Sequence, residues 1–266
     1  MIDKIREIFK DNLAAPELID NITDDDDLAL IEINSITSVS YTHLIDKTVT
    51  RLNTIKSISG FQIFFKNEFV INNKYYHSIE YYIKHLHFIF DELFERDIQK
   101  FSIIHGDFCF SNILYDFNSY NVKLIDPRGS FGCKGIYGDL RYDIAKLRHS
   151  VCGLYDFVIA DKYTAELIGS VINYKLDTCI DQASFELFDN FIIENGYNIT
   201  EIKFIEALLF LSMIPCHADS PERQIVMLAK GIEQIDIVIK YINNKEISAE
   251  RGGAGVSRKR SYCNGY

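Results

Sequence analysis

Glycine is missing from the first 59 residues, Gly60 being the first in the chain. That stretch therefore cannot hold a glycine-rich loop whose backbone comes close to a phosphate. Long apolar runs are missing too. Ala207–Ile214 falls far short of the roughly 18 residues needed to cross a bilayer, so no membrane span is expected. The opening MIDKIREIFKDN has neither the apolar run nor the small-residue cleavage site of a secretion signal, which places the chain in the cytoplasm as an expectation. Positive charge is in deficit, with 28 Lys and Arg against 38 Asp and Glu and a net charge of −10. A polyanion would be repelled, so nucleic acid is not an expected partner. A phosphorylated nucleotide remains open, provided that metal ions carry the positive charge. Cys109, Cys133, Cys152, Cys179, Cys216 and Cys263 form no CxxC pair and no metal-finger spacing, and read as reduced thiols.

What is present is a globular composition, 47% hydrophobic over 266 residues, enough for one large domain or two small ones. Helical spacing predicts helices over 2–9, 41–54, 79–93, 139–151, 160–174, 200–213 and 221–242. The region between 174 and 200 is expected to be helical as well, so that the second half reads as nearly all α. The firmest stripe is Ile79, Tyr82, Ile83, Leu86, Ile89, Phe90 and Leu93; His85 and His87 lie on its flank, since positions two apart do not share a helical face. FQIFFKNEFVINNKYY reads as a β excursion turning at Asn72 and Asn73. The Asp24–Asp27 run reads as a cap or solvated face.

The informative stretch is HGDFCFSNILYDFNSYNVKLIDPRG, His105–Gly129. FSII, NILYD and VKLID are strand-like and DFNSYN is rich in turn formers, which predicts a hairpin. Strands of similar length bring their outer ends together, so Asn112 and Asp126 become neighbours beside Asp107. Singly, each is an ordinary turn or cap residue. As three in register they suit phosphoryl transfer, in which a protein positions its reactants and Mg²⁺ links carboxylate oxygen to nucleotide phosphate.

HGDFCFSN resembles the HGDxxxxN motif of the aminoglycoside phosphotransferase and choline kinase family. LIDPRG resembles that family's second metal-binding segment, and YGDLRYDIAKL its next element. The run from Ile125 to Ser150 is most similar to phosphotransferase-like proteins of capsule and surface-polysaccharide biosynthesis. The resemblance implies an α+β fold: a protein-kinase-like C-terminal lobe, mostly helical with a small β-hairpin active site. It further implies Asp107 as general base, His105 as a shaper of its loop, Asn112 and Asp126 as magnesium and nucleotide ligands, and Asp143 as a brace. ATP and Mg²⁺ are the implied cofactors, and the partner is a small-molecule hydroxyl acceptor, a sugar or an amino-alcohol. Arg128 is a candidate phosphate contact, and PCHADSPERQ, with His217, Asp219 and Arg223, a candidate substrate loop.

The family's N-terminal lobe does not fit the 104 residues before His105, with no glycine before position 60 and a long helix from Ile79. That lobe is expected to be truncated or atypical, over 1–75, with the kinase-like lobe over 76–247 and a disordered basic tail over 248–266. An upstream domain of a longer gene product would supply the missing parts; otherwise ATP-dependent transfer has been abandoned. The rival readings are a non-catalytic kinase-like binding module and a metal-dependent hydrolase.

Overall fold

The computed structural model describes residues 44–58, 60–94, 101–131 and 133–252. The helix expected over 2–9 and the Asp24–Asp27 run lie outside these. The fold is α+β, and its elements run α1 (44–55), α2 (Gln62–Lys66), β1 (Phe69–Ile71), β2 (Lys74–Tyr76), α3 (Ile79–Leu93), β3 (Phe101–Ile103), β4 (Ile113–Asp116), β5 (Asn121–Leu124), β6 (Ser130–Phe131), β7 (Cys133–Lys134), β8 (Tyr137–Asp139), α4 (Leu140–Val151), α5 (Tyr155–Ile159), β9 (Tyr163–Ile168), β10 (Val171–Leu176), α6 (Gln182–Glu194), α7 (Ile199–Met213) and α8 (Pro221–Gly252). None of these helices is long and apolar enough to cross a membrane.

Local chemistry explains most boundaries. The Ser78 hydroxyl accepts from Tyr81 N and starts α3, whose buried Ile79, Tyr82, Leu86, Ile89 and Leu93 form one stripe. The predicted β excursion begins with the short helix α2 and then forms the hairpin β1–β2. Its turn residues Asn72 and Asn73 have φ of 45° and 65°, the left-handed pair that a two-residue hairpin loop requires. Asn198 caps α7, which is buried almost all round and packs between α4 and α8.

The helix expected over 160–174 is instead the antiparallel hairpin β9–β10, with Ile168 paired to Val171. Burial alternates along β9, where Tyr163, Ala165 and Leu167 pack against the core while Glu166 and Ile168 face water. Two-residue periodicity and β-branched residues override the apparent helical spacing, and Gly169 takes the turn with φ of 58°. Strand β10 also pairs in parallel with β1, Val70 opposite Val171, which makes a four-stranded sheet of order β2-β1-β10-β9. One hydrophobic core runs from Leu44 on α1 through this sheet to Ile242 on α8. Helix α8 continues to Gly252, across the first residues of the segment expected as a tail; the rest of that segment, from 253, is outside the described residues.

Candidate active site

Helix α4 is the unusual element. Asp139 caps it by accepting from Arg141 N at 2.8 Å, yet nearly every residue that follows is buried, charged ones included. Buried charges require partners. Arg141 pairs with Asp139 and, at 2.8 Å, with Glu201; Arg148 pairs with Glu206 and, at 2.7 Å, with Asp189. Of the remaining polar residues, Asp143, Lys146 and Ser150 stand three and four apart, hence on one helical face. All three serve the loop that begins at His105.

Asp143 accepts from His105 N at 2.6 Å and from Gly106 N at 2.8 Å, one oxygen to each. Gly106 has φ of 76°, a left-handed conformation that glycine adopts without strain. Ser150 Oγ accepts from Phe110 N at 3.2 Å. Lys146 Nζ lies 2.7 Å from Asp107 Oδ1. On the other side of the same carboxylate, the Asn112 amide donates to Asp107 Oδ2 at 3.2 Å and to Asp107 O at 2.8 Å. The five-residue interval read from the sequence thus closes on itself: the 3₁₀ turn Phe110–Asn112 brings the asparagine back over the aspartate.

The hairpin β4–β5 has the expected form, with Ile113 opposite Leu124. Ile125 N donates to Asn112 O at 3.0 Å, His105 Nε2 to Ile125 O at 2.9 Å, and Arg128 N to His105 O at 2.8 Å. With His105 Nδ1 accepting from Asp107 N at 3.3 Å, the ring carries its proton on Nε2. Asp126 lies between these clamps, exposed and with φ of 57°. Asp107 and Asn112 are therefore in contact, and Asp126 adjoins the backbone pairing partner of Asn112.

The electrostatics favour an ionised pair. Burial alone would raise the Asp107 carboxyl, but the charge and hydrogen bond of Lys146, the Asn112 amide and the Arg128 charge outweigh it and hold the pKa below the ordinary carboxylate value. Burial would lower Lys146, but Tyr142 and Asp107 outweigh it and hold the pKa above the ordinary lysine value. Asp143 goes the other way: burial raises its pKa in spite of the two backbone N–H groups it accepts. The Lys146 side chain is 8% exposed and that of Asp107 39%, so the carboxylate, not the ammonium, is open to a ligand.

Oxygen donors set which cation the site suits. The amide nitrogen of Asn112 is committed to Asp107, which leaves Oδ1, and Asp126 presents a carboxylate to solvent. Among the described residues no group of three or more His, Cys, Asp and Glu gathers. An exposed carboxylate and a buried amide oxygen are hard donors of the kind Mg²⁺ takes, since it keeps water and phosphate oxygens in its shell, and they do not make a closed protein cage.

In the candidate substrate loop, the arginine is held by ion pairs. Arg223 pairs with Asp219 at 2.9 Å and with Asp161, just before β9, at 2.8 Å. His217 ends a 3₁₀ turn, its ring 6.4 Å from that of Tyr155. Burial raises the Tyr155 pKa, and the negative charge of Asp107 adds to the rise. Sequence reasoning missed Lys146, Ser150 and Tyr155. The available signal for the first two was the polar stripe Asp143, Lys146, Ser150 in a helix with no clean apolar face. Comparison of the chain with protein-family models, curated proteins and solved structures finds no match in any of the three.

Proposed function

We propose that the chain carries the catalytic centre of an ATP- and Mg²⁺-dependent phosphotransferase acting on a hydroxyl of a small molecule, as its resemblance to the aminoglycoside phosphotransferase and choline kinase family implies. The observation that carries this reading is the Asp107 carboxylate, half-buried and held from two sides by Lys146 and Asn112, at the mouth of the hairpin β4–β5. A carboxylate has room for about four hydrogen bonds, so Asp107 can still accept one from an acceptor hydroxyl. The acceptor oxygen then bonds to the terminal phosphorus as the bond to the departing ADP oxygen breaks, and the hydroxyl proton passes to Asp107. Asn112 Oδ1 and Asp126 would hold Mg²⁺, whose contribution when bound is charge neutralisation on the phosphates. Asp143 and His105 fix the backbone of the loop and touch no reacting atom.

The test is incubation of the full chain with γ-labelled ATP, Mg²⁺ and a panel of sugars and amino-alcohols. Label on an acceptor is the expected result, and Asp107→Asn should abolish it while nucleotide affinity is retained. Unchanged turnover in that variant would remove the assignment. One observation favours a second reading, a binding module without catalysis: no glycine precedes position 60. Magnesium-dependent ATP binding with no transfer to any acceptor would favour it.

A further inference from the structure

Where the C-terminal end of α3 and the start of α7 meet the C-terminal half of α8, they form a cavity of about 210 Å³. None of its lining residues belongs to the loop of Asp107. Drug-sized ligands occupy about 300–1,000 Å³, so this space suits a small metabolite and not a nucleotide. Its floor is buried. Leu93 and Ile242 supply the apolar part. Beside them the buried Glu201 carboxylate is fixed by Arg141 Nη1 at 2.8 Å and by the Asn198 amide at 3.3 Å. Its rim is exposed, with Glu92 on α3 and, one turn apart on α8, Tyr241 and Lys245. Among the described residues no hydrogen bond or ion pair engages the side chain of Glu92 or of Lys245, and the two do not pair with each other. Opposite charges that face one cavity without meeting decide what it takes. A plain anion would be drawn to Lys245 and repelled by Glu92 and Glu201, and a plain amine would meet the reverse. A ligand carrying both signs satisfies both walls, and a carbon skeleton between them would cover Leu93, Ile242 and the Tyr241 ring.

We propose that this cavity binds a small zwitterion, an α-amino acid with an apolar side chain, its ammonium toward Glu92 and Glu201 and its carboxylate on Lys245. The site is independent of the phosphotransfer reading, and its test uses neither ATP nor Mg²⁺. The full chain is titrated calorimetrically with matched triplets: leucine, isoamylamine and isocaproate; phenylalanine, phenethylamine and hydrocinnamate. In at least one triplet the amino acid should bind about tenfold or more tightly than either relative that lacks one charge, as the loss of a charge-assisted hydrogen bond requires. Lys245→Met should bring the amino acid down to the level of its amine, and Glu92→Gln should bring it toward the level of its acid. Both positions are exposed, so neither substitution disturbs the fold. Triplets in which the amino acid is not preferred would overturn the inference. So would a preference that survives both substitutions, since the zwitterion would then sit elsewhere on the chain.

Discussion

Lys146 is the residue on which the ionisation of Asp107 turns. Replacing it with Met leaves the neighbouring carboxylate half-buried with its cation gone. The Asp107 pKa, held below the ordinary value by that cation, should then rise. The sign follows from the proposed phosphotransfer: a base that works ionised should have the acid limb of its kcat/KM profile moved to higher pH in Lys146→Met, with turnover at neutral pH falling about tenfold to a hundredfold, the worth of one charged hydrogen bond. A limb that stays in place would mean that Lys146 only fills space. Asp143→Asn asks a different question, because the amide has one acceptor oxygen for the two N–H groups of His105 and Gly106. One buried donor should lose its partner, at a cost of about 1–3 kcal/mol in urea unfolding. The two residues also mark the limit of legibility. The contact of Asp107 with Asn112 can be read from spacing, since a turn brings back residues close in sequence. Lys146 lies 39 positions from Asp107, and only the packing of α4 against the loop discloses the pair.

At the scale of elements, helices with one apolar face were legible and the sheet was not. The stripe of α3 and the hairpin turn at Asn72 and Asn73 follow from local chemistry alone. The pairing of β1 with β10 joins residues a hundred positions apart, and β9 and β10 contain enough apolar residues to imitate a helical period. Helix α4 shows a third case, where the constraint is steric. At its C-terminal end, a Cβ on Gly153 would lie 2.4 Å from His149 O and 2.8 Å from Glu206 Oε1. The first contact is with backbone, which cannot turn aside. Gly153→Ala should therefore destabilise the protein by about 1–3 kcal/mol, the usual cost of forcing atoms into a packed interior. An unchanged urea midpoint would show that the end of α4 yields more easily than its burial suggests.

For the molecule as a whole, the interior of charged and polar groups makes stability depend on pH. His149 is fully buried between Tyr155 and Phe210, with ring centroids at 4.4 and 4.0 Å, and both ring nitrogens lack partners. Burial first, then the positive charges of Lys146 and Lys230, holds its pKa well below the ordinary value. The unfolded chain takes up a proton at this residue near pH 6.5, and the folded chain does not until much lower pH. The unfolded state thus binds more protons in that interval, and stability is lost as pH falls from about 7, by up to about 1.4 kcal/mol per pH unit for this one group. Asp143 and Glu233 oppose it, since burial raises their carboxyl pKa and the folded chain takes up their protons first. The slope of the wild-type protein alone is therefore a sum. His149→Leu keeps the volume close and removes only the imidazole, so the difference between variant and wild type isolates it. In urea midpoints measured from pH 7.5 to 5, the difference between variant and wild type should shift steadily in favour of the variant, which loses less stability as acid is added. Parallel curves would mean that the imidazole finds water or a partner in solution, and that the core around α4 opens more readily than its packing implies.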